Sequence, residues 1–304
     1  MLGKTLLAAV AAVLATFSPA AAQDNCELLL QTGLESTPDL AGNPKVPMTI
    51  AGRSLAMLVD TGGNYSMLKQ KWVTELGLVE TRVHGGWFDV GSRHIHYFVK
   101  VTDFQFGRMF ARSTGMLVMP DDLGAADIDG TLAPDFLSRF DIEFDFAHSK
   151  INLFTPNNCA ASPVYWAPHH AEVQLGTNGW KQIFTTVNLD GKNMTAQIDT
   201  GSSTSFVYLD AAQDLLGLKM DDPALKRLID GAGKSHGYAY PFKTFRFGTI
   251  VVQGSAIRVA DEVRGPAAPH MVIGMDLLRS LRLYISYKDS KIYATAAAAP
   301  QTTN

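Results

Sequence analysis

The sequence predicts an all-β chain with short helices, folded as two related lobes. Three observations carry this. The second half repeats the landmarks of the first at a nearly constant separation. Each half consists of alternating Val, Ile, Phe and Tyr runs divided by glycine turns. Helical patterning is confined to short stretches.

The elements follow in order. Val46–Ile50, a tight turn at Ala51-Gly52-Arg53 and Leu55–Val59 read as a hairpin running into Asp60. A short helix over Lys69–Leu76 ends at Gly77, which suits a left-handed cap. In the second half Val187–Leu189, a turn at Asp190-Gly191-Lys192, Met194–Ile198 and Asp199 repeat this at an offset of 139. A helix over Leu209–Leu216 then ends at Gly217. Further on the offset settles at 141. Phe106-Gly107 answers to Phe247-Gly248, Asp135-Phe136-Leu137 to Asp276-Leu277-Leu278, and Ser149-Lys150-Ile151 to Ser290-Lys291-Ile292. Two copies point to a two-lobed body, not a solenoid. Phe140–Phe146 alternates strictly, as a half-buried strand does, and Leu281–Tyr287 does much the same.

Boundaries follow from composition. Residues 1–22 read as a signal peptide: Lys4, an apolar run from Thr5 to Phe17 too short to span a bilayer, and small residues before Gln23. The first lobe is expected over 23–158 and the second over 172–294. A proline-bearing linker at 159–171 divides them, and a disordered tail at 295–304 follows. Hydrophobic content of 46% against 18% charged describes a folded chain. The formal charge of −3, without a basic block, excludes nucleic acid as a natural partner. The expected location is the periplasm or the medium, with no stable membrane insertion. Export bears on Cys26 and Cys159, which are either one disulfide or two buried thiols. An oxidising compartment favours the bridge, whose long loop would stabilise by up to about 5 kcal/mol.

The chemistry lies in a repeated motif. Met57-Leu58-Val59 delivers Asp60-Thr61-Gly62, and Ala196-Gln197-Ile198 delivers Asp199-Thr200-Gly201. One Asp-Thr-Gly occurs by chance in roughly one chain of this length in fifteen. Two, each after an apolar strand and at the same place in a repeat, are hard to assign to chance.

These motifs and their repeated context resemble the aspartic peptidases, specifically the bacterial exported group with two tandem retropepsin-like domains. The resemblance covers nearly all of the chain after the signal. It implies the acid-protease fold: two retropepsin-like β-barrel lobes related by a pseudo-twofold axis, each giving one aspartate. It also implies an aspartic endopeptidase, monomeric as an intramolecular pseudo-dimer, acting on a peptide or protein substrate with no cofactor and no metal. Asp60 and Asp199 would be catalytic. Thr61, Gly62, Thr200, Gly201 and Ser202 would support the catalytic loops, with the two threonines hydrogen-bonding across the axis. Two carboxylates held close resist ionising together, so they share a proton; one serves as base on a water while the other polarises the scissile carbonyl. Ser202 is able to donate to Asp199, whereas its counterpart Gly63 has no side chain to do so.

The segment behind each loop is expected to be two apolar residues and a glycine. Val272-Ile273-Gly274 fits, but the first copy reads Thr131-Leu132-Ala133. That departure motivates an alternative, a catalytically inactive periplasmic peptide-binding module on the same fold. Candidate flaps lie at Val83–Val99 and Asp230–Tyr240, with Trp87, Tyr97 and Tyr238 as substrate-facing aromatics. Gly231-Ala232-Gly233-Lys234-Ser235 lacks the first glycine of a phosphate loop and reads as a hairpin tip. His94 and His96 share a strand face without a third ligand.

Overall fold

A computed structural model describes residues 28–90, 93–156, 163–231, 233–265 and 268–297. Cys26, Cys159 and the signal segment lie outside the described residues.

Each lobe begins with the hairpin that the alternation predicts. Pro44–Ile50 pairs with Arg53–Val59 around Ala51 and Gly52, and Ile183–Leu189 with Lys192–Ile198 around Asp190 and Gly191. All four turn residues have positive φ, the backbone a two-residue hairpin loop needs to match strand twist. The next element of each lobe inserts out of sequence. Gly130–Leu132 runs parallel to Arg53–Val59 and antiparallel to Met67–Lys69. Met271–Ile273 lies likewise between Lys192–Ile198 and Phe206–Val207. These central strands are buried on both faces.

In the first lobe Tyr97–Phe106 pairs with Met109–Met119, with Glu80–Arg82 and, through Phe104 and Gln105, with Pro44–Ile50, closing a barrel. In the second lobe the corresponding strand is split into Ser235–Ala239 and Thr244–Phe247. Pro241, which cannot donate to a ladder, stands in the gap. The helix Gln70–Glu75 is followed by Gly77 at φ 62, and Leu209–Leu216 is capped by Gly217 at φ 70.

A six-stranded sheet joins the lobes, three strands from each. Its order is Leu30–Glu35, Lys150–Phe154, Asp141–Asp145, Leu281–Ser286, Lys291–Ala296 and Ala171–Gln174. At its centre Ile142 faces Ile285 and Phe144 faces Leu283 across an antiparallel pair. One continuous apolar core runs through both lobes beneath it.

Three expectations change here. The alternating strand Asp141–Asp145 is not half-buried; every residue is buried. Its polar face is covered by partners distant in sequence. Glu143 is wholly inaccessible and receives Arg282 (Nε at 2.7 Å), the Tyr165 hydroxyl (2.7 Å) and the Asn152 amide (2.9 Å). The Arg282 guanidinium also pairs with Asp145 at 3.1 Å and lies 4.4 Å from the Trp166 ring. A buried carboxylate needs such partners to stay charged. The 163–167 part of the expected linker is therefore packed onto the sheet. The last strand also runs to Ala296, past the expected end of the lobe, and Thr295 accepts a hydrogen bond from the Trp166 indole at 2.9 Å.

Candidate active site

Asp60 and Asp199 leave their strands at the same point, where the inserted central strand takes over the backbone pairing. The Asp60 N–H donates to the Leu132 carbonyl (2.9 Å) and the Asp199 N–H to the Ile273 carbonyl (3.0 Å). The chain then turns, and the N–H groups of the next residues point back at the carboxylates. Asp60 Oδ1 accepts from Gly62 (3.0 Å) and Gly63 (2.8 Å), and Asp199 Oδ1 from Gly201 (2.8 Å) and Ser202 (3.1 Å).

The two loops meet, and the two threonines bind across the meeting point. The Thr61 N–H donates to Thr200 Oγ1 and the Thr200 N–H to Thr61 Oγ1, both at 3.1 Å. Each hydroxyl in turn donates to a carbonyl of the opposite lobe, Ile198 at 2.8 Å and Val59 at 2.6 Å. Both threonines are wholly buried. Glycine at 62 and 201 is required by closeness and not by backbone dihedrals. A Cβ on Gly62 would stand 2.2 Å from Asp199 Cγ, and one on Gly201 2.5 Å from Asp60 Oδ1.

The carboxyl groups of Asp60 and Asp199 are thus in mutual contact where the two loops meet. Burial raises both above the ordinary carboxylate range, and the charge of Asp199 raises Asp60 further, up to about 8. The backbone N–H groups oppose this and favour the ionised form. Such a pair titrates as a unit, holding one proton across a broad range. Among the described residues no group of three or more His, Cys, Asp or Glu is placed to hold a metal ion.

The Ala133 departure has a local counterpart. Ala133 and Gly274 are both extended, with φ of −109° and −99°, so neither needs glycine for its backbone. A Cβ on Gly274 would come 2.5 Å from the Thr204 carbonyl oxygen and 2.8 Å from that of Ser202. In the first lobe the methyl is on the support segment and absent from the loop. A Cβ on Gly63 would meet the Ala133 Cβ at 3.3 Å and Asp60 Oδ2 at 2.8 Å. In the first lobe a side chain on the loop would therefore crowd the support segment, whereas in the second a methyl on the support segment would strike the loop's backbone carbonyls. Thr131 sits in the central strand with its hydroxyl buried and no hydrogen-bond partner among the described residues. The Ser202 hydroxyl donates to the Thr204 carbonyl at 2.9 Å and so does not serve Asp199; only its backbone N–H does.

Several supporting residues escaped the sequence reading. Ser66 donates through its N–H (2.9 Å) and hydroxyl (2.7 Å) to Asp135, and its oxygen accepts the Ala133 N–H at 3.0 Å. Ser205, Asp276 and Gly274 repeat the arrangement in the second lobe. The signal was available: both serines lie six residues after the aspartate, and Asp135 and Asp276 stand at the offset of 141.

The first-lobe flap contains the hairpin Phe88–Val90 with Arg93–Ile95, and the second pairs Lys226–Ile229 with Ser235–Ala239. The three flap aromatics have these surroundings. Trp87 is exposed and packs on His94 and His96, at 5.0 and 6.3 Å between ring centroids. Tyr97 lies exposed beside those histidines, and Tyr238 stacks under Arg227. Tyr65, on the chain just after the Asp60 loop, packs on Phe88 at 4.5 Å and, from the other lobe, on Trp180 at 5.1 Å between ring centroids. A pocket of about 390 Å³ beside Tyr65 is lined by Val83, Phe88, Phe98, Met116 and Leu117. Its counterpart beside Thr204 is polar, with Lys234, His236, Arg258, Asp261 and Glu262.

Comparison with known proteins agrees with this geometry. The crystal structure of basic 7S globulin from soybean superposes with a TM-score of 0.56, covering 90% of this chain and 96% of that one at 9% identity. At that identity the likeness concerns the fold alone. A sequence search of curated proteins finds no match. The family model described as aspartyl protease matches twice, over residues 46–136 and 185–277, each match holding one Asp-Thr-Gly loop and its support segment. Those two matches span more than half of the chain, and it belongs to the aspartyl protease family.

Proposed function

We propose that the protein is an aspartic endopeptidase that hydrolyses peptide bonds with water activated between Asp60 and Asp199. The observation that carries this is the contact of two half-buried carboxyls, each holding two backbone N–H donors, where the two loops meet. With one proton shared, the ionised carboxylate takes a proton from water as its oxygen attacks the scissile carbonyl. The protonated partner donates to the carbonyl oxygen as negative charge develops there. The resulting tetrahedral diol collapses as its C–N bond breaks: the newly protonated aspartate gives its proton to the departing amine and a diol hydroxyl gives its own to the ionised aspartate, which restores the shared proton. Thr61 and Thr200 fix the distance between the aspartates, so little reorganisation accompanies the reaction.

Substrate would lie extended across the cleft and pair by backbone with the two flap hairpins, as an added strand does. The pocket beside Tyr65 suits a bulky apolar side chain. The signal-like residues 1–22 support export to the periplasm or medium, with Cys26 and Cys159 joined there, and the intramolecular pseudo-dimer supports a monomer. The alternative of an inactive peptide-binding module rested on Ala133 and Thr131. The Asp60 loop nevertheless keeps both its N–H donors, because Gly63 leaves room for the Ala133 methyl. Incubating the protein lacking residues 1–22 with a peptide library from pH 3 to pH 7, read by mass spectrometry, tests the choice. Cleavage is expected, with apolar residues favoured at one flanking position. Peptides retained intact would favour the binding module.

A further inference from the structure

The turn before each catalytic hairpin is itself duplicated. Asp39 Oδ1 accepts the N–H groups of Ala41 (2.9 Å) and Asn43 (2.7 Å). Asn178 Oδ1 accepts those of Trp180 (3.0 Å) and Gln182 (3.2 Å). All three pairs of positions stand at the offset of 139 that relates Asp60 to Asp199. Both turns end on a side-chain amide that crosses to the other lobe. Asn43 Nδ2 donates to the Gly201 carbonyl at 3.1 Å, and Gln182 Nε2 donates to the Gly62 carbonyl. Gln197 adds a second donor to Gly62, at 3.2 Å.

Those two carbonyls belong to the peptides whose N–H groups hold the aspartates. In a planar trans peptide the C=O and N–H point in opposite directions. Fixing the Gly62 oxygen on one side therefore aims the Gly63 N–H at Asp60 on the other, where it donates at 2.8 Å. Fixing the Gly201 oxygen aims the Ser202 N–H at Asp199. A peptide beside a glycine would otherwise rotate easily. The amides are themselves oriented. Asn178 Nδ2 donates to Gln182 Oε1 at 2.7 Å, which leaves Nε2 as the end that faces Gly62. Asn43 Nδ2 stands between two acceptors, Gly201 O and Asp39 Oδ2, so its oxygen cannot take that place.

We propose that Gln182 and Asn43 are positioning residues that act crosswise, each fixing the peptide that donates to the catalytic aspartate of the opposite lobe. The inference rests on the catalytic roles given to Asp60 and Asp199. Other ionisable groups around the pair do not provide this bond. Asp135 and Asp276 are held by Ser66 and Ser205 behind the loops, Asp39 by its own turn, and Tyr208 by burial near Asp199. Losing the anchor frees the N–H from the ionised carboxylate, which raises the pKa of the aspartate it served.

The test is a carboxyl ¹³C titration of aspartate-labelled wild type, Gln182→Met, Gln182→Met with Gln197→Met, and Asn43→Leu. It needs no activity, so it separates this inference from the assignment of peptidase function. Gln182→Met combined with Gln197→Met, which removes both donors to the Gly62 carbonyl, is expected to raise the Asp60 midpoint by about 0.5–1 unit and to move Asp199 less, with Gln182→Met alone giving a smaller shift in the same direction. Asn43→Leu is expected to raise Asp199 more than Asp60. An Asp60 midpoint that stays put in the Gln182→Met/Gln197→Met variant, or a larger shift at the aspartate of the variant's own lobe, overturns the proposal. Gln182 and Gln197 are half-buried and outside the apolar core, so their variants decide the matter should the buried Asn43 variant not fold.

Discussion

Replacing Gly63 by serine makes the first catalytic loop match the second in sequence, yet the structure predicts damage. The new Cβ would stand 2.8 Å from Asp60 Oδ2 and 3.3 Å from the Ala133 Cβ, both too close for unchanged geometry. Overpacking of this kind costs about 1–3 kcal/mol. The Tm should fall by several degrees, at about 2–4 °C per kcal/mol for a chain of this class. Peptidase activity should fall more steeply, because Asp60 is the atom group displaced. Ala133→Gly alone removes a buried methyl and adds backbone freedom, costing roughly 1 kcal/mol. The double variant restores the Ser202/Gly274 arrangement of the second lobe. It should therefore be less destabilised than the sum of the singles, with a favourable coupling of about 1 kcal/mol or more. Thermal or urea unfolding of the four proteins measures the cycle. Additive effects would refute the view that the Ala133 methyl crowds a side chain at position 63.

Three further outcomes follow from the same geometry. Thr131→Val removes a buried hydroxyl that has no partner and installs the residue found at the matching position, Val272; unfolding should show about 1 kcal/mol of added stability or no loss. Because Asp60 is raised from 3.8 to about 8, the folded state holds more protons than the unfolded state between those values. Stability should therefore decline as pH rises through that window, and Asp60→Asn should flatten the decline and raise Tm at pH 7 by a few degrees. Gly115 lines the pocket beside Tyr65, has ordinary φ and has open space where a Cβ would go. Gly115→Leu should shift cleavage from bulky toward small side chains at that subsite, by roughly 10–200-fold in kcat/KM ratio, as product mapping would show.

The duplication made much of the fold legible. Val46–Val59 and its repeat carry both the period of a strand and the residues of a two-residue turn, so local chemistry and tertiary role coincide there. The Asp-Thr-Gly loops were equally clear, since their glycines are demanded by close approach. What sequence could not show was decided between distant segments. The acidic face of Asp141–Asp145 looks solvent-bound until Arg282, 139 residues away from Glu143, covers it. Which of Trp87 and Phe88 packs on Tyr65 depends on which hairpin face turns inward, a matter of one residue of phase. Asn43 and Gln182 obey the repeat offset, but their partners lie in the opposite lobe, and only the meeting of the loops reveals what they hold.

The measurement closest to the central claim is kcat/KM for peptide cleavage by wild type, Asp60→Asn and Asp199→Asn at the optimum pH of the wild type. Each substitution keeps the size of the side chain but removes the ability to share a proton with its neighbour. Loss of general acid–base catalysis predicts a fall of at least about 10²–10⁴-fold in both variants. Full activity in either one would contradict water activation by the Asp60–Asp199 pair.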